Sequence, residues 1–463
     1  MGKLTTKNPW WWVPTLYFAE GVPYFVVNNI SVMMFTKMGV ANGDMSFFTT
    51  LLYFPWFLKG IWSPIVDVVK TKRWWIVSMQ ILMTAMMILL TLTLPHPEVT
   101  AGTNTPISIF WLTLVLFIIT AFASATHDIA ADGYYMLAHD PSSQAAFIGI
   151  RSVFYRVASV FGQGVLVFIA GVVESNGIGF LGIEKGNIPL SWEITLGVAA
   201  AIFCIITLYH TFALPHSVDD KPRVDAAAGD TTKNNLKELA NSFKTFVKKP
   251  AVLLAIAFML LYRLPEGFLI KLCQPFLVHG IEEGGLGLST ELVGTLYGVF
   301  GVIALLLGGI LGGIYSSKVG LKKSLWVMAA FMTLPCLTFV YLAMVQPSNV
   351  VVITIALCIE QFGYGFGFTA YMLYMMYFSE GEFKTSHYAI CTAFMALSMM
   401  LPGFVAGYIQ EAIGYVWFFW MVMACCLATL VVTYLVDRKI DPNYGRKDTN
   451  AVDAVEETKA IEE

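Results

Sequence analysis

Twelve times the chain stays apolar for long enough to cross a bilayer, which takes about 20 residues of helix. The runs cover roughly 10–36, 44–69, 74–95, 107–137, 143–172 and 191–214, then 250–279, 290–317, 322–345, 350–379, 384–412 and 414–436. Hydrocarbon offers no water to satisfy backbone N–H and C=O groups, so each run has to close its hydrogen bonds internally, as a helix. The expectation is an all-α polytopic membrane protein with twelve transmembrane helices. Composition agrees: 57% of residues are hydrophobic and 13% charged, where a soluble domain carries about 25% charged residues.

Seven cysteines (204, 273, 336, 358, 391, 425 and 426) all fall inside these runs with no CxxC pair, so neither a disulfide frame nor a zinc site is indicated. Lys3 and Lys7 precede Trp10–Trp12, and the apolar run continues far past a leader's hydrophobic region. The first span is therefore expected to act as its own signal-anchor.

Basic residues mark one side of the membrane. Loops there hold Lys3 and Lys7, then Lys70, Lys72 and Arg73, seven Lys/Arg in 215–249, then Lys318, Lys322, Lys323, Lys384, Arg438 and Lys439. The opposite loops hold only Lys37 and Lys185. The positive-inside rule then places both termini in the cytoplasm. The chain divides into a six-helix half at 1–214, a cytoplasmic linker at 215–249, a second six-helix half at 250–436 and a polar, disordered tail at 437–463. Within the linker, 217–235 reads as mobile. Residues 234–249 read as an amphipathic helix, with Leu236, Leu239, Phe243 and Phe246 opposite Lys237, Lys244 and Lys248. Two placements fit it: on the inner leaflet, or packed on the cytoplasmic helix ends.

The halves echo each other. DVVKTKRWW (67–75) and SSKVGLKKSLW (316–326) are basic loops between the second and third spans of each half, and Glu20-Gly21 is matched by Glu266-Gly267. Twelve spans, a central cytoplasmic loop and paired basic loops point to the major facilitator architecture of two six-helix halves. In that architecture spans one, four, seven and ten line a central cavity. Those are the spans that carry Glu20, Asp128 and Asp132, Arg263 and Glu266, and Glu360.

An ionised side chain facing acyl chains is costly, so intramembrane charges default to function. Asp128 and Asp132, four residues apart, share one helix face. Small neighbours (Ala121, Ala125, Ala130, Ala131 and Gly133) let other helices approach closely. Arg151 or Arg156, opening the fifth span, is the expected counter-ion of this pair. With Lys59, Asp67 and Glu266 these residues form a candidate ion-pair or gate network. Glu20 and Glu360 lie roughly 15 Å into their spans, near the midplane. There a carboxyl can exchange a proton as water access alternates, or serve as a hydrogen-bonded helix contact. Together with Asp128 they are the candidate proton-coupling residues.

Candidate substrate-binding residues are Asn28, Asn29, Arg263, Gln361, Tyr364 and Tyr371. The amides suit sugar hydroxyls, the arginine suits an anion, and the tyrosines suit sugar rings or simple helix packing. His127 reads as a proton relay or as a structural, hydrogen-bonded group. No HExxH, GxSxG or GxxxxGK[ST] motif is present, and the chain does not read as an enzyme. No metal, cofactor or nucleic-acid partner is implied.

At several of these places the chain resembles the AmpG-type muropeptide permeases and the related acetyl-CoA transporter family. SATHDIAADGYYML (124–137) is similar to their S-x-x-Q-D-I-x-x-D-[GA]-W block, and KGIWSPIVDVVKTKRWW (59–75) to their second-span block. LYRLPEG (261–267) resembles the L-Y-K-x-x-[DE] element, and FKTSHYAI (383–390) the T-x-x-Q-Y-A-L element. The chain departs from the pattern with His127 and His387 for glutamine, Tyr134 for tryptophan and Arg263 for lysine. The resemblance implies a proton symporter, monomeric among membrane lipids of a bacterial inner membrane. Its cargo would be N-acetylglucosamine–anhydro-N-acetylmuramyl peptides or a similar glycoconjugate, imported for cell-wall recycling. A carrier of oligosaccharides or an acyl-CoA is the alternative, as is a receptor or assembly factor that transports nothing.

The topology is testable directly. In a background lacking native cysteines, Ser217→Cys should react with an impermeant thiol reagent only from the cytoplasmic side, and Thr103→Cys only from outside. Labelling of both from outside contradicts the orientation.

Overall fold

The structure, a computed structural model, describes residues 8–99, 104–138, 141–177, 184–216, 220, 241, 243–381, 384–442 and 444. It is an all-α bundle. The first half contains α1 (13–37), α2 (42–68), α3 (Lys72–Thr93), α4 (Ile107–Leu137), α5 (141–176) and α6 (Ile188–Ala213). The second contains α7 (Val252–Val278), α8 (Thr290–Val319), α9 (Leu321–Val345), α10 (Val350–Ser379), α11 (384–413) and α12 (415–437). Among the described residues, nine continuous helices are long and apolar enough to cross a membrane, the last of them His387–Asp437. That rod is two crossings. Gly414 has φ 75°, a left-handed conformation that glycine adopts without steric cost. Beyond it the chain doubles back: Ser398 packs beside Gly267, whereas Thr429 Oγ1 bonds the Tyr262 carbonyl at 3.1 Å. The helices α1 and α2 complete the set of twelve.

Short loops are held by local chemistry. Thr71 and Asn187 cap α3 and α6 by accepting from the N–H groups of Trp74 and Leu190, each at 3.1 Å. Asp220 reinforces the α3 start, accepting from the backbone N–H of Lys72 at 2.6 Å and of Arg73 at 2.9 Å.

Several helices are interrupted where they face the centre. π-turns occupy Val26–Ile30 in α1, Val160–Leu166 in α5 and Leu296–Gly301 in α8, and α7 breaks at Tyr262–Arg263. The π-turns meet: Asn29 Nδ2 donates to Gln163 Oε1 at 3.2 Å, and a Cβ on Gly298 would sit 2.2 Å from the Gln163 carbonyl. Such turns rotate a side chain out of the regular helical register, which explains their frequency at functional sites.

The halves meet through α2 with α11, α5 with α8, and α1 with α7. Asn42 Nδ2 donates to Gln410 Oε1 at 2.6 Å, the Gly43 N–H to Glu411 Oε1 at 2.8 Å, Ser46 Oγ to the Gly403 carbonyl at 2.5 Å, and Thr290 Oγ1 to Glu174 Oε2 at 2.8 Å. All of these lie at the end remote from the chain termini. At the terminal end the halves are less closely joined, and the side chains of Lys59 and Asp132 keep 39% and 44% of their exposure.

Of the linker helix expected over 234–249, residues 234–240 and 242 lie outside the described residues, as does most of the tail expected to be disordered. In the described part, Phe246 is buried against the rings of Phe378, His387 and Phe394, and Lys249 Nζ donates to the Glu380 carbonyl at 2.7 Å. This segment packs on helix ends, although Phe243 and Val247 remain exposed.

Candidate functional site

Two groups of charged residues face each other across the space between the halves. The first-half group is built from α1, α2, α4 and α5. Arg151 donates to Asp132 Oδ1 at 2.5 Å, and its guanidinium lies 4.3 and 5.1 Å from the ring centroids of Tyr17 and Tyr135. Tyr17 donates to the same carboxylate oxygen at 3.2 Å. The arginine is thus fixed by its anion and by two π faces, and each such face contributes about 0.5–2 kcal/mol.

Asp128 is held differently from the sequence expectation. Neither Arg151 nor Arg156 meets it. Lys59 reaches Asp128 Oδ2 at 3.6 Å, and Trp56 Nε1 donates to that oxygen at 3.1 Å. The reason is helix phase: Arg151 is drawn to Asp132, one turn along α4, and α2 lies alongside α4 to supply the second cation. Arg156 makes no ion pair among the described residues. Asp67 lies in α2, but its side chain is outside the described ones. Glu20 shares the field of Asp128, Asp132, Lys59 and Arg151, so it is not remote from cations as its sequence neighbours suggest. Glu20 Oε2 and Asp128 Oδ1 are shielded and have no hydrogen-bond partner among the described residues.

The second-half group centres on Arg263, at the α7 break, with 5% exposure. One guanidinium nitrogen donates to Tyr364 Oη at 2.6 Å, and the rings of Phe368, Tyr364 and Tyr371 lie 4.7, 5.5 and 5.7 Å from its carbon. Its Nε has no hydrogen-bond partner among the described residues. Glu266, expected in an ion pair, is buried three residues on and forms none among the described residues, with Oε1 unbonded. The α7 geometry explains this: Arg263 precedes the first helical residue and turns toward the α10 aromatics. Glu360 is buried and accepts from Gln361 Nε2 at 2.9 Å, and Gln361 also reaches Tyr297 Oη at 3.2 Å. Tyr371 spends its hydroxyl on the Met259 carbonyl at 2.8 Å, so it offers Arg263 its ring, whereas Tyr364 offers its hydroxyl.

Asn28 and Asn29 sit on the α1 π-turn. With Tyr53, Lys271, Gln274 and Tyr297 they line a small cavity between the halves. Lys271 and Gln274 were not singled out from the sequence, although a lysine inside the apolar α7 run was a visible signal. Tyr53 and Trp56 had none, because aromatic residues in a span resemble lipid-facing or packing residues.

Both histidines that depart from the family pattern point away from this space. His127 Nε2 is 3.0 Å from the Gln80 amide, which also meets His210 Nδ1 at 2.9 Å, and His210 Nε2 reaches Thr15 Oγ1 at 2.9 Å. This buried chain ties α4, α3, α6 and α1 together. His387 Nε2 contacts Thr245 Oγ1 at 3.0 Å, anchoring the end of the linker.

Comparison with known proteins gives a consistent family. The sequence model of the Major Facilitator Superfamily matches residues 15–382. The protein named AmpG 4 in Rickettsia felis is 24% identical over 438 residues, spanning 92% of this chain and 96% of the relative. The anhydromuropeptide permease of Escherichia coli is 21% identical over 444 residues, 94% of this chain and 81% of the permease. Among solved structures, a D-xylose–proton symporter superposes with a TM-score of 0.66 at 12% identity, covering 91% of this chain and 95% of that one.

The observed pairing makes a prediction. Neutralising Asp128 or Lys59 alone strands its partner. Because Lys59 is partly exposed, the loss should be about 1–3 kcal/mol, below the range for a fully buried pair. In a double-mutant cycle read by thermal stability, Asp128→Asn with Lys59→Gln should lose less than the sum of the singles. Additive losses reject the pairing.

Proposed function

The chain belongs to the Major Facilitator Superfamily, and from that premise we propose that it is a proton symporter that imports anhydromuropeptides, N-acetylglucosamine–anhydro-N-acetylmuramyl peptides, or a closely similar glycoconjugate. On this reading it is a monomer in a bacterial inner membrane with both termini cytoplasmic, and the structure is the inward-facing state, sealed on the outer side. The observation that carries the reading is Arg263. It is a buried cation held by the Tyr364 hydroxyl and aromatic faces, with no carboxylate in ion-pair contact among the described residues. An arginine buried in that way is completed by an anion that arrives from elsewhere, and its planar fork suits a carboxylate. The relative named as an anhydromuropeptide permease supports the cargo.

The reading assigns the steps as follows. A peptide carboxylate of the cargo docks on Arg263, with Tyr364 steadying the guanidinium and the amides of Asn28, Asn29 and Gln361 facing the sugar portion. Docking draws the Arg263 charge away from Glu266, whose carboxylate and that of Glu360 repel each other. A carboxylate left in that field without its cation takes up a proton more readily. Cargo and proton binding thereby favour each other without touching, a reciprocal coupling. In the other half, Glu20 lies among Asp128, Lys59, Asp132 and Arg151, where a proton can exchange with the terminal side. The Asp128–Lys59 and Asp132–Arg151 pairs serve as the gate on that side.

Reconstituted vesicles test this. The wild type should accumulate labelled anhydromuropeptide under an imposed proton gradient. Glu20→Gln or Glu360→Gln should lose accumulation while retaining cargo exchange, and Arg263→Gln should lose both. Accumulation against a gradient by both glutamine variants moves the coupling site elsewhere, with Asp128 next. Accumulation of an oligosaccharide or an acyl-CoA in place of the muropeptide rejects the cargo.

A further inference from the structure

Eight residues beyond Arg263 on α7, about 12 Å along the helix, lies a second buried cation that the symport reading does not use. Lys271 keeps 4% of its exposure and pairs with no acid among the described residues. Its Nζ donates to Thr49 Oγ1, in the other half, at 3.1 Å and lies 5.0 Å from the centroid of the Tyr53 ring. Thr49 gives its own hydrogen to the Met45 carbonyl at 2.7 Å, so it can only accept from Lys271. An ammonium has three donors, and this contact uses one.

The cavity beside it contains the complementary need. Asn28 Oδ1 and Gln274 Oε1 line it without a hydrogen-bond partner among the described residues, on residues exposed by only 2% and 4%. Asn28 cannot flip to escape, because its Nδ2 donates to the Tyr24 carbonyl at 3.0 Å and the flipped oxygen would face that carbonyl. The pocket therefore offers a donor, Lys271, beside an unmet acceptor on Asn28 and the Gln274 amide, which can present either end. A carboxylate would satisfy Lys271 but press its negative charge against Asn28 Oδ1. A neutral amide fits: its C=O accepts from Lys271 and its N–H donates to Asn28 or Gln274.

We propose that this pocket is a second binding point, which takes a neutral amide of the cargo about 12 Å from the anion held at Arg263. The proposal rests on the symport reading for the site as a whole and adds a ruler to it. The cavity now has room for about one water, at 10 Å³. Entry of an amide consequently draws Lys271 off Thr49, one of the contacts that join the halves at the far end. The Tyr53 ring packs against Lys271 in this pocket.

The test is equilibrium binding to the purified full chain, with two probes. One is N-acetylglucosamine–anhydro-N-acetylmuramyl tripeptide. The other is a series of N-acetyl alanine peptides with free C-terminal carboxylates. At about 3.4 Å per extended residue, a 12 Å span favours three to four residues. Lys271→Met should weaken the binding of either probe about tenfold or more and erase the length optimum. Lys271→Gln, which keeps an N–H donor, should restore most of the affinity, and its melting curve controls for folding. If the muropeptide does not bind but the peptides do, with this Lys271 dependence, the pocket stands and the cell-wall cargo falls. If the muropeptide binds equally to the wild type and Lys271→Met, the cargo stands and the pocket is a water-filled structural contact. If neither probe binds, both readings are overturned.

Discussion

A charge in hydrocarbon has no water to fall back on, and the arrangement of this protein follows from that single constraint. Asp128, Asp132, Lys59 and Arg151 neutralise one another in one half. In the other half, Arg263 and Lys271 have no acid in contact among the described residues. They are held by a hydroxyl each and by aromatic faces. Holding a cation in this way is weaker than pairing it, and it leaves the charge available. The two halves thus differ in kind: one carries settled ion pairs within reach of solvent, the other carries charges waiting for a partner.

The packing complements this division. Where the halves meet at the far end they do so backbone to backbone. A Cβ on Gly407 would lie 1.8 Å from the Asn42 carbonyl, and one on Gly171 would lie 2.0 Å from the Glu291 nitrogen. Such contacts tolerate no gap for water and no partial opening, so that end is either shut or parted as a whole. Lys271 lies just inside it, bonded to Thr49 of the other half, and Arg263 lies eight residues nearer the terminal end of α7. Membership of the Major Facilitator Superfamily and the close approach of α2 to α11 and α5 to α8 fit a rocking motion about the central site.

Much of this was legible in the sequence. Length and apolarity alone located the twelve helices, because hydrocarbon permits few alternatives. The rarity of charges within spans singled out Glu20, Asp128, Arg263 and Glu360. Pairing was less legible. Proximity along the chain suggested Arg151 or Arg156 for Asp128, whereas the cation comes from α2, and side-by-side packing of helices is not written in either one. The π-turns in VVNNI, VFGQGVL and LYGVFG left no mark, since they shift register by one residue without special composition. His127 stood beside Asp128 in sequence and proved to face the opposite way, which is the expected result of a 100° step between adjacent helical residues.

The central claim is that Arg263 is kept without an acid partner for the sake of a ligand. Stability and binding should then move in opposite directions. Replacing a buried charge that lacks a carboxylate with an apolar side chain of similar length is neutral or stabilising in an empty protein. The decisive measurement is the melting temperature of purified Arg263→Met, with and without anhydromuropeptide. The account predicts a melting temperature equal to or above that of the wild type without ligand, and loss of the ligand-induced rise. A lower melting temperature with the ligand-induced rise intact would show that Arg263 is structural and would contradict the account.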